Sequence, residues 1–207
     1  MVEIIQGERF AMGRELEFKF RATPELQEQI RRRFGEFSTI SMETVYYDTP
    51  EALLDSLCIT LRRRLENGVS VCTLKSPAPD GARGEWEREA ARIEDCLEPL
   101  CREAGLEALY PSLAGRLAPS CGARFTRRAA RVEFAGAQLE LALDRGALLG
   151  GGREQPLCEV EAELKSGPDE AARRFAALLA AEFALVPEPL SKVQRARALA
   201  KEGGHGL

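Results

Sequence analysis

Residues 58–75 read CITLRRRLENGVSVCTLK. Two alternating runs flank Asn67-Gly68, a pair that supplies both positive-φ positions of a type I′ turn. The segment therefore reads as an antiparallel hairpin. Side chains two apart share a face of a strand. Arg62 and Arg64 thus lie opposite Leu61 and Leu65, and Lys75 lies away from Leu74. One face of the hairpin is apolar and the other carries full charges.

The same pattern recurs outward from this hairpin. In RELEFKF (14–20), Glu15, Glu17 and Lys19 oppose Leu16, Phe18 and Phe20. In GEWERE (84–89), Glu85, Glu87 and Glu89 align. In LELALD (139–144), Glu140 and Asp144 share one face, and in CEVEAELK (158–165) Glu159, Glu161, Glu163 and Lys165 do. Eight extended segments are expected, at roughly 13–20, 40–48, 58–65, 69–75, 84–91, 124–134, 138–144 and 157–165, with a second hairpin turning at Ala135-Gly136. Helices fall between them. Thr23-Pro24-Glu25 is a cap, an N1 proline and an acidic first turn for a helix that Gly35 stops. Thr49-Pro50-Glu51 opens another, Asp95 a third, residues 168–184 form a fourth, and Ser191 caps KVQRARALAKE. Residues 77–84 read as a loop, and 105–122 as a stretch with room for short helices. Strands in runs with inserted helices indicate the α+β class with an antiparallel sheet.

A wet outer face is the simplest source of charged alternation. Here, however, the charged face holds few of the Thr residues that exposed strands favour. Its signs also cluster by strand: acids at 15/17 and 159/161, arginines at 62/64. Eight strands suffice to close a barrel around a small ligand. The expected fold is a closed eight-stranded antiparallel β-barrel, a tunnel with a charged interior and helices packed outside. We expect a single domain over 1–207, with a core of about 13–200 and a flexible tail at 201–207.

Composition narrows the chemistry. The chain has 207 residues, 44% of them hydrophobic, and a net charge of −4. That supports a folded core and argues against a general nucleic-acid binder. No apolar run approaches a membrane span, and the start MVEIIQGERF lacks a secretory apolar stretch. A cytoplasmic protein that binds neither membrane nor nucleic acid is expected. The one histidine, His205, lies in a Gly-rich tail. A Ser-His-Asp or Cys-His system and a His-ligated zinc or iron centre are thereby excluded. The six cysteines form no C-x-x-C pair and read as reduced. What remains is carboxylate, Lys and Arg chemistry. Clustered Arg and Lys suit a polyanion, and clustered carboxylates without His suit Mg²⁺ or Mn²⁺. No P-loop motif is present.

The ordered set of charged motifs resembles the CYTH superfamily, the triphosphate tunnel metalloenzymes. It runs from Glu15-x-Glu17-x-Lys19 through YYDTPEALL (46–54), Arg62/Arg64, TLK with Lys75, and Arg83-x-Glu85-x-Glu87. It continues through TRRAAR (126–131), LALD with Asp144, Glu159-Val-Glu161 and LSK with Lys192. The resemblance implies a tunnel that binds triphosphate. By it, Lys19, Arg62, Arg64, Lys75, Arg128 and Lys192 would hold the phosphate chain, with Arg127 competing with Arg128. Glu15, Glu17, Asp144, Glu159 and Glu161 would hold divalent metal, with Glu85 or Glu87 added. Lys19, Glu17 and Glu161 would serve catalysis. The implied activity is hydrolysis of inorganic triphosphate to diphosphate and phosphate with Mg²⁺ or Mn²⁺. The alternatives are a thiamine triphosphatase, an adenylate cyclase, a non-catalytic polyphosphate-binding module and a structural β-domain. The expected partner is a small-molecule triphosphate, and a homodimer is left open.

Overall fold

The computed structural model describes residues 13–14, 16–77 and 83–203. Glu15 and most of the loop expected at 77–84 lie outside the described residues. The strands are β1 (Gly13–Arg14), β2 (Glu17–Arg21), β3 (Ser38–Asp48), β4 (Thr60–Glu66), β5 (Val69–Pro77), β6 (Arg83–Glu89), β7 (Ala118–Phe134), β8 (Ala137–Gly150), β9 (Arg153–Ser166) and β10 (Val186–Pro187). The α-helices are α1 (Pro24–Phe34), α2 (Leu53–Ser56), α3 (Leu97–Glu103), α4 (Tyr110–Leu113), α5 (Asp169–Phe183) and α6 (Lys192–Gly203). The chain divides into two compact units, one of residues 1–14 and 44–119, the other of 15–43 and 120–207.

In the first unit the strand order is β1-β6-β5-β4, with β3 beside β4. The β4–β5 hairpin turns at Asn67 and Gly68, whose φ angles are 49° and 90°. These are the two left-handed positions that a type I′ turn requires. The apolar face of the hairpin, with Leu61, Cys72 and Leu74, is buried against Leu54, Ile93, Leu97 and Leu100. Helix α2 starts later than the Thr49-Pro50 signal suggests. Asp48 is the reason: its buried carboxylate accepts from the backbone N–H groups of Thr49 (2.8 Å), Leu54 (2.8 Å) and Asp55 (3.0 Å). It thus satisfies the donors that a helix start leaves open.

In the second unit the order is β7-β8-β9-β2-β10, with β3 beside β7. Helix α1 begins as its sequence dictates. Thr23 Oγ1 accepts from Leu26 N at 3.3 Å, Pro24 takes the first position, and Gly35 ends the helix at φ 86°. Ile30 of α1 and Phe175, Ala176 and Leu179 of α5 pack on Phe20, Leu139, Leu141, Leu143 and Val160. Each fully buried aliphatic side chain there contributes about 1.5–3 kcal/mol. A smaller cluster of Met42, Phe125, Leu148, Leu157 and Ala196 seats α6 on β8. Gly150 makes that seat possible, because a Cβ there would lie 2.4 Å from the Ala196 carbonyl oxygen of α6.

The expected closed eight-stranded barrel is not what forms. Among the described residues the ladder has ten strands and ends at β1 on one side and β10 on the other, with no pairing between these two. The stretch read as one strand over 13–20 is two strands with different partners, β1 on β6 and β2 on β9. Both terminal strands are two residues long, and one contains Pro187, which has no N–H to donate. The α+β class and the antiparallel pairing hold.

Candidate functional site

The register of the second unit sets its charged residues in rows across four strands. Asp144 pairs with Arg127 on β7 and with Glu159 on β9, and Glu159 pairs with Arg21 on β2. The next row is Ala129, Ala142, Glu161 and Lys19, followed by Arg131, Glu140, Glu163 and Glu17. Side chains in register lie on the same face. The alanines at 129 and 142 leave space beside Glu161, and charged groups converge there.

Asp144, Glu159 and Glu161 are all buried, and one carboxylate oxygen from each lies within 4.8 Å of the others. Lys192, the first residue of α6, sends its Nζ into the group. It stands 2.9 Å from Asp144 Oδ2 and 2.7 Å from Glu159 Oε2, and it also pairs with Glu161. Arg127 grips Asp144 with two bonds of 2.8 Å, and pairs with Glu161 and, at 3.4 Å, with Glu140. Arg195, one helical turn after Lys192, pairs with Glu159 and reaches Glu188 at 3.8 Å. Glu188 in turn accepts from Arg21 Nε at 2.9 Å. From beneath, the buried Gln27 of α1 donates to the backbone carbonyls of both Asp144 and Glu159 at 2.9 Å, tying the two strands together where the carboxylates emerge.

These neighbours decide the charge states. Burial alone would push Glu161 up, but the positive charges of Lys192 and Arg127 overcome it and hold its carboxyl below the usual carboxylate range. Burial would likewise discharge Lys192, yet Asp144, Glu161 and Glu159 raise it well above an ordinary lysine. Arg127 is raised by Glu161 and Asp144 against the same burial penalty.

Helix α6 is fixed at its start by a reciprocal pair. Ser191 Oγ accepts from Gln194 N at 3.2 Å, and Gln194 Oε1 accepts from Ser191 N at 2.8 Å. This is a capping box. A lysine in the first turn opposes the helix dipole, so Lys192 is held there by carboxylates rather than by the helix.

The first unit carries a second charged face. Its rows are Thr60–Lys75–Glu85 and Arg62–Thr73–Glu87. Lys75 pairs with Glu85 at 3.0 Å, while Arg62 reaches Glu85 at 3.5 Å and Glu87 at 3.8 Å. Arg64 pairs with Glu66 and reaches Glu87 at 3.8 Å, and Thr73 donates to Glu87 at 2.9 Å.

Of the residues the sequence puts forward, Asp144, Glu159, Glu161 and Lys192 come together in one cluster. Lys19 and Glu17 lie on the same strand face and pair at 3.3 Å. Of the two arginines left open, Arg127 faces Asp144, whereas Arg128 is exposed and in register with Leu143. Arg62, Arg64, Lys75, Glu85 and Glu87 share the face in the first unit. Sequence reasoning missed Gln27, Glu188 and Arg195. Only Arg195 left a signal, its spacing of three from Lys192 on one helix face.

The donor set fits a divalent hard cation. It offers only oxygen, from three convergent carboxylates. Glu159 Oε2 is buried without an aligned hydrogen bond, although Lys192 Nζ stands near it. Asp144, Glu159 and Glu161 would hold the ion.

A protein named inorganic triphosphatase from Haemophilus influenzae is 30% identical over 166 residues, which cover 75% of this chain and 46% of that protein. The chain thus spans about half the length of that curated relative. A candidate adenylate cyclase structure from Bacillus halodurans superposes with a TM-score of 0.60 at 20% identity, covering 87% of this chain and 96% of the other. A Hippeastrum candidate adenylyl cyclase, reported to have dominant triphosphatase activity, superposes with a TM-score of 0.61 at 19% identity, covering 91% and 96%. At these identities the two structures speak for the fold alone. The CYTH domain family model matches residues 13–196, and the chain belongs to that family.

Proposed function

We propose that this protein is a metal-dependent phosphohydrolase acting on inorganic triphosphate and releasing diphosphate and phosphate. The observation that carries the reading is the buried Asp144–Glu159–Glu161 triad faced by Lys192 and Arg127. Acids that converge without histidine, beside cations fixed by ion pairs, suit a metal–polyphosphate pair better than any other ligand class named above. The name of the Haemophilus influenzae relative supports the same reading.

A Mg²⁺ or Mn²⁺ ion on the triad would neutralise phosphoryl oxygens and acidify water. The remaining work falls to the chain's own residues. Arg127, locked to Asp144, presents a fixed guanidinium beside the triad, and Lys19 adds an ammonium on the neighbouring strand. Gln27 fixes the two strands through the backbone carbonyls of Asp144 and Glu159, and Arg195, which also reaches Glu188, holds the Glu159 carboxylate. On the first unit's own face, Arg62, Arg64 and Lys75 are proposed to bind a polyanion, a role suited to bidentate arginines. Phosphoryl transfer asks for positioning and charge stabilisation more than for covalent chemistry, and these residues supply both.

The test is a phosphate-release panel with tripolyphosphate, ATP and thiamine triphosphate, each with Mg²⁺ or Mn²⁺, with cyclic AMP assayed alongside. Fastest turnover of tripolyphosphate, absent without metal, is the expected result. Preference for thiamine triphosphate, or formation of cyclic AMP from ATP, would replace this substrate assignment.

A further inference from the structure

We propose that Lys192 is an internal counter-cation that competes with divalent metal for the Asp144–Glu159–Glu161 triad, so that metal loads only as Nζ leaves. The inference rests on the reading that the triad is the metal site, and it adds how that site is controlled.

Charge balance comes first. Three buried carboxylates face three cations, Lys192, Arg127 and Arg195. A divalent ion set on the triad would stand beside these three cations and repel each of them. At an effective dielectric of 20, two unit charges 4 Å apart interact by about 4 kcal/mol. One resident cation must therefore withdraw.

The structure singles out which one. Each arginine also has a partner outside the triad, Glu140 for Arg127 and Glu188 for Arg195. The ion-pair partners of Lys192 are the three triad carboxylates, with the Phe125 ring 5.4 Å from Nζ. Its Nζ touches all three of the groups that a metal would use. Its stem is a flexible chain carrying a point charge, unlike the rigid forks of the two arginines. It also sits in the first turn of α6, where the helix gives a cation no support. Lys192 is the releasable charge. A polyanion that attracts it would raise metal affinity, and by reciprocity metal would raise polyanion affinity by the same factor.

The experiment is a Mn²⁺ titration by calorimetry and by the electron paramagnetic resonance of free Mn²⁺, without triphosphate. It uses the full chain, Lys192→Met, and the double variant Lys192→Met/Asp144→Asn. Lys192→Met should bind Mn²⁺ at least tenfold more tightly than the unaltered protein, and the double variant should lose that gain. Equal or weaker binding by Lys192→Met would overturn the competition. A double variant that binds as tightly as Lys192→Met would instead remove the metal from the triad, and the underlying reading would fall. If Lys192→Met does not fold alone, circular dichroism follows its refolding as Mn²⁺ is added. Recovery at Mn²⁺ concentrations that leave the unaltered protein's melting temperature unmoved supports the inference, and no recovery overturns it.

Discussion

The two units carry charged faces built from the same strand alternation, yet they place their charges at different depths. In the first, Arg62, Arg64 and the buried Lys75 meet Glu85 and Glu87 at 3.0–3.8 Å, and these two carboxylates keep 19% and 26% of their surface in water. In the second, Asp144 and Glu159 have none of their surface in water, and their counter-charges arrive from another strand and from a helix. Solvated pairs exchange partners cheaply, whereas buried ones leave an uncompensated charge when broken. The first face is thus suited to passing its cations to a ligand. The second is suited to holding its carboxylates and arginines in a fixed constellation, in which a metal ion can take the place of Lys192 without leaving the acids uncompensated.

The largest expected effect follows from that contrast. Asp144→Ala should cost about 3–5 kcal/mol of stability, because it takes from both Arg127 and Lys192 a fully buried partner. Glu87→Ala in the first unit should cost no more than about 1 kcal/mol. Chemical denaturation of the two variants checks the difference, and equal losses would erase the distinction. Next come the paired arginines. Arg127→Ala should raise KM for tripolyphosphate by about tenfold or more, the loss of one charge-assisted bidentate contact, while Arg128→Ala should leave it unchanged. Arg62→Ala should weaken tripolyphosphate binding in calorimetry by about tenfold and leave the melting temperature nearly unmoved. The smallest effect is at the cap of α6, where Ser191→Ala should cost about 1 kcal/mol.

Acid should also test the buried cluster of the second unit. The folded pKa of Glu161 is depressed, so its contribution is fully present above the unfolded carboxylate value of about 4.3 and is lost as pH falls through the lower folded value. Lys192 is raised, so its contribution is complete below the unfolded lysine value of about 10.4 and is lost only as pH rises beyond it. Stability from this cluster should be flat between those limits. Lys192→Met removes a cation that holds Glu161 down, and should move the acid edge of the stability profile to higher pH.

Most strands and helix starts were legible because their signals are local. Asn67-Gly68, Thr23-Pro24 and Ser191 each fix a turn or a cap from within a few residues. Period-two alternation put Asp144, Glu159 and Glu161 on charged faces, and the resemblance to the CYTH superfamily grouped them, with Glu15 and Glu17, as one acidic set. Closure was not legible. Alternation states which face a residue takes but not which strand pairs with which, so a split of 13–20 into β1 and β2 with different partners leaves no mark in the pattern. The choice of Arg127 over Arg128 turned on the β7–β8 register, which places Arg127 opposite Asp144. Gln27 and Glu188 were invisible for a related reason. Each acts on a backbone carbonyl or a guanidinium more than a hundred residues away in sequence.

The most direct measurement is metal-dependent phosphate release from tripolyphosphate by the unaltered protein and by Glu161→Gln, with the fold of each verified by circular dichroism. The account predicts turnover that needs added Mg²⁺ or Mn²⁺ and falls by about 100-fold or more in the variant, the scale of losing a main electrostatic contact. Undiminished turnover by a folded Glu161→Gln protein, or turnover that ignores the metal, would contradict it.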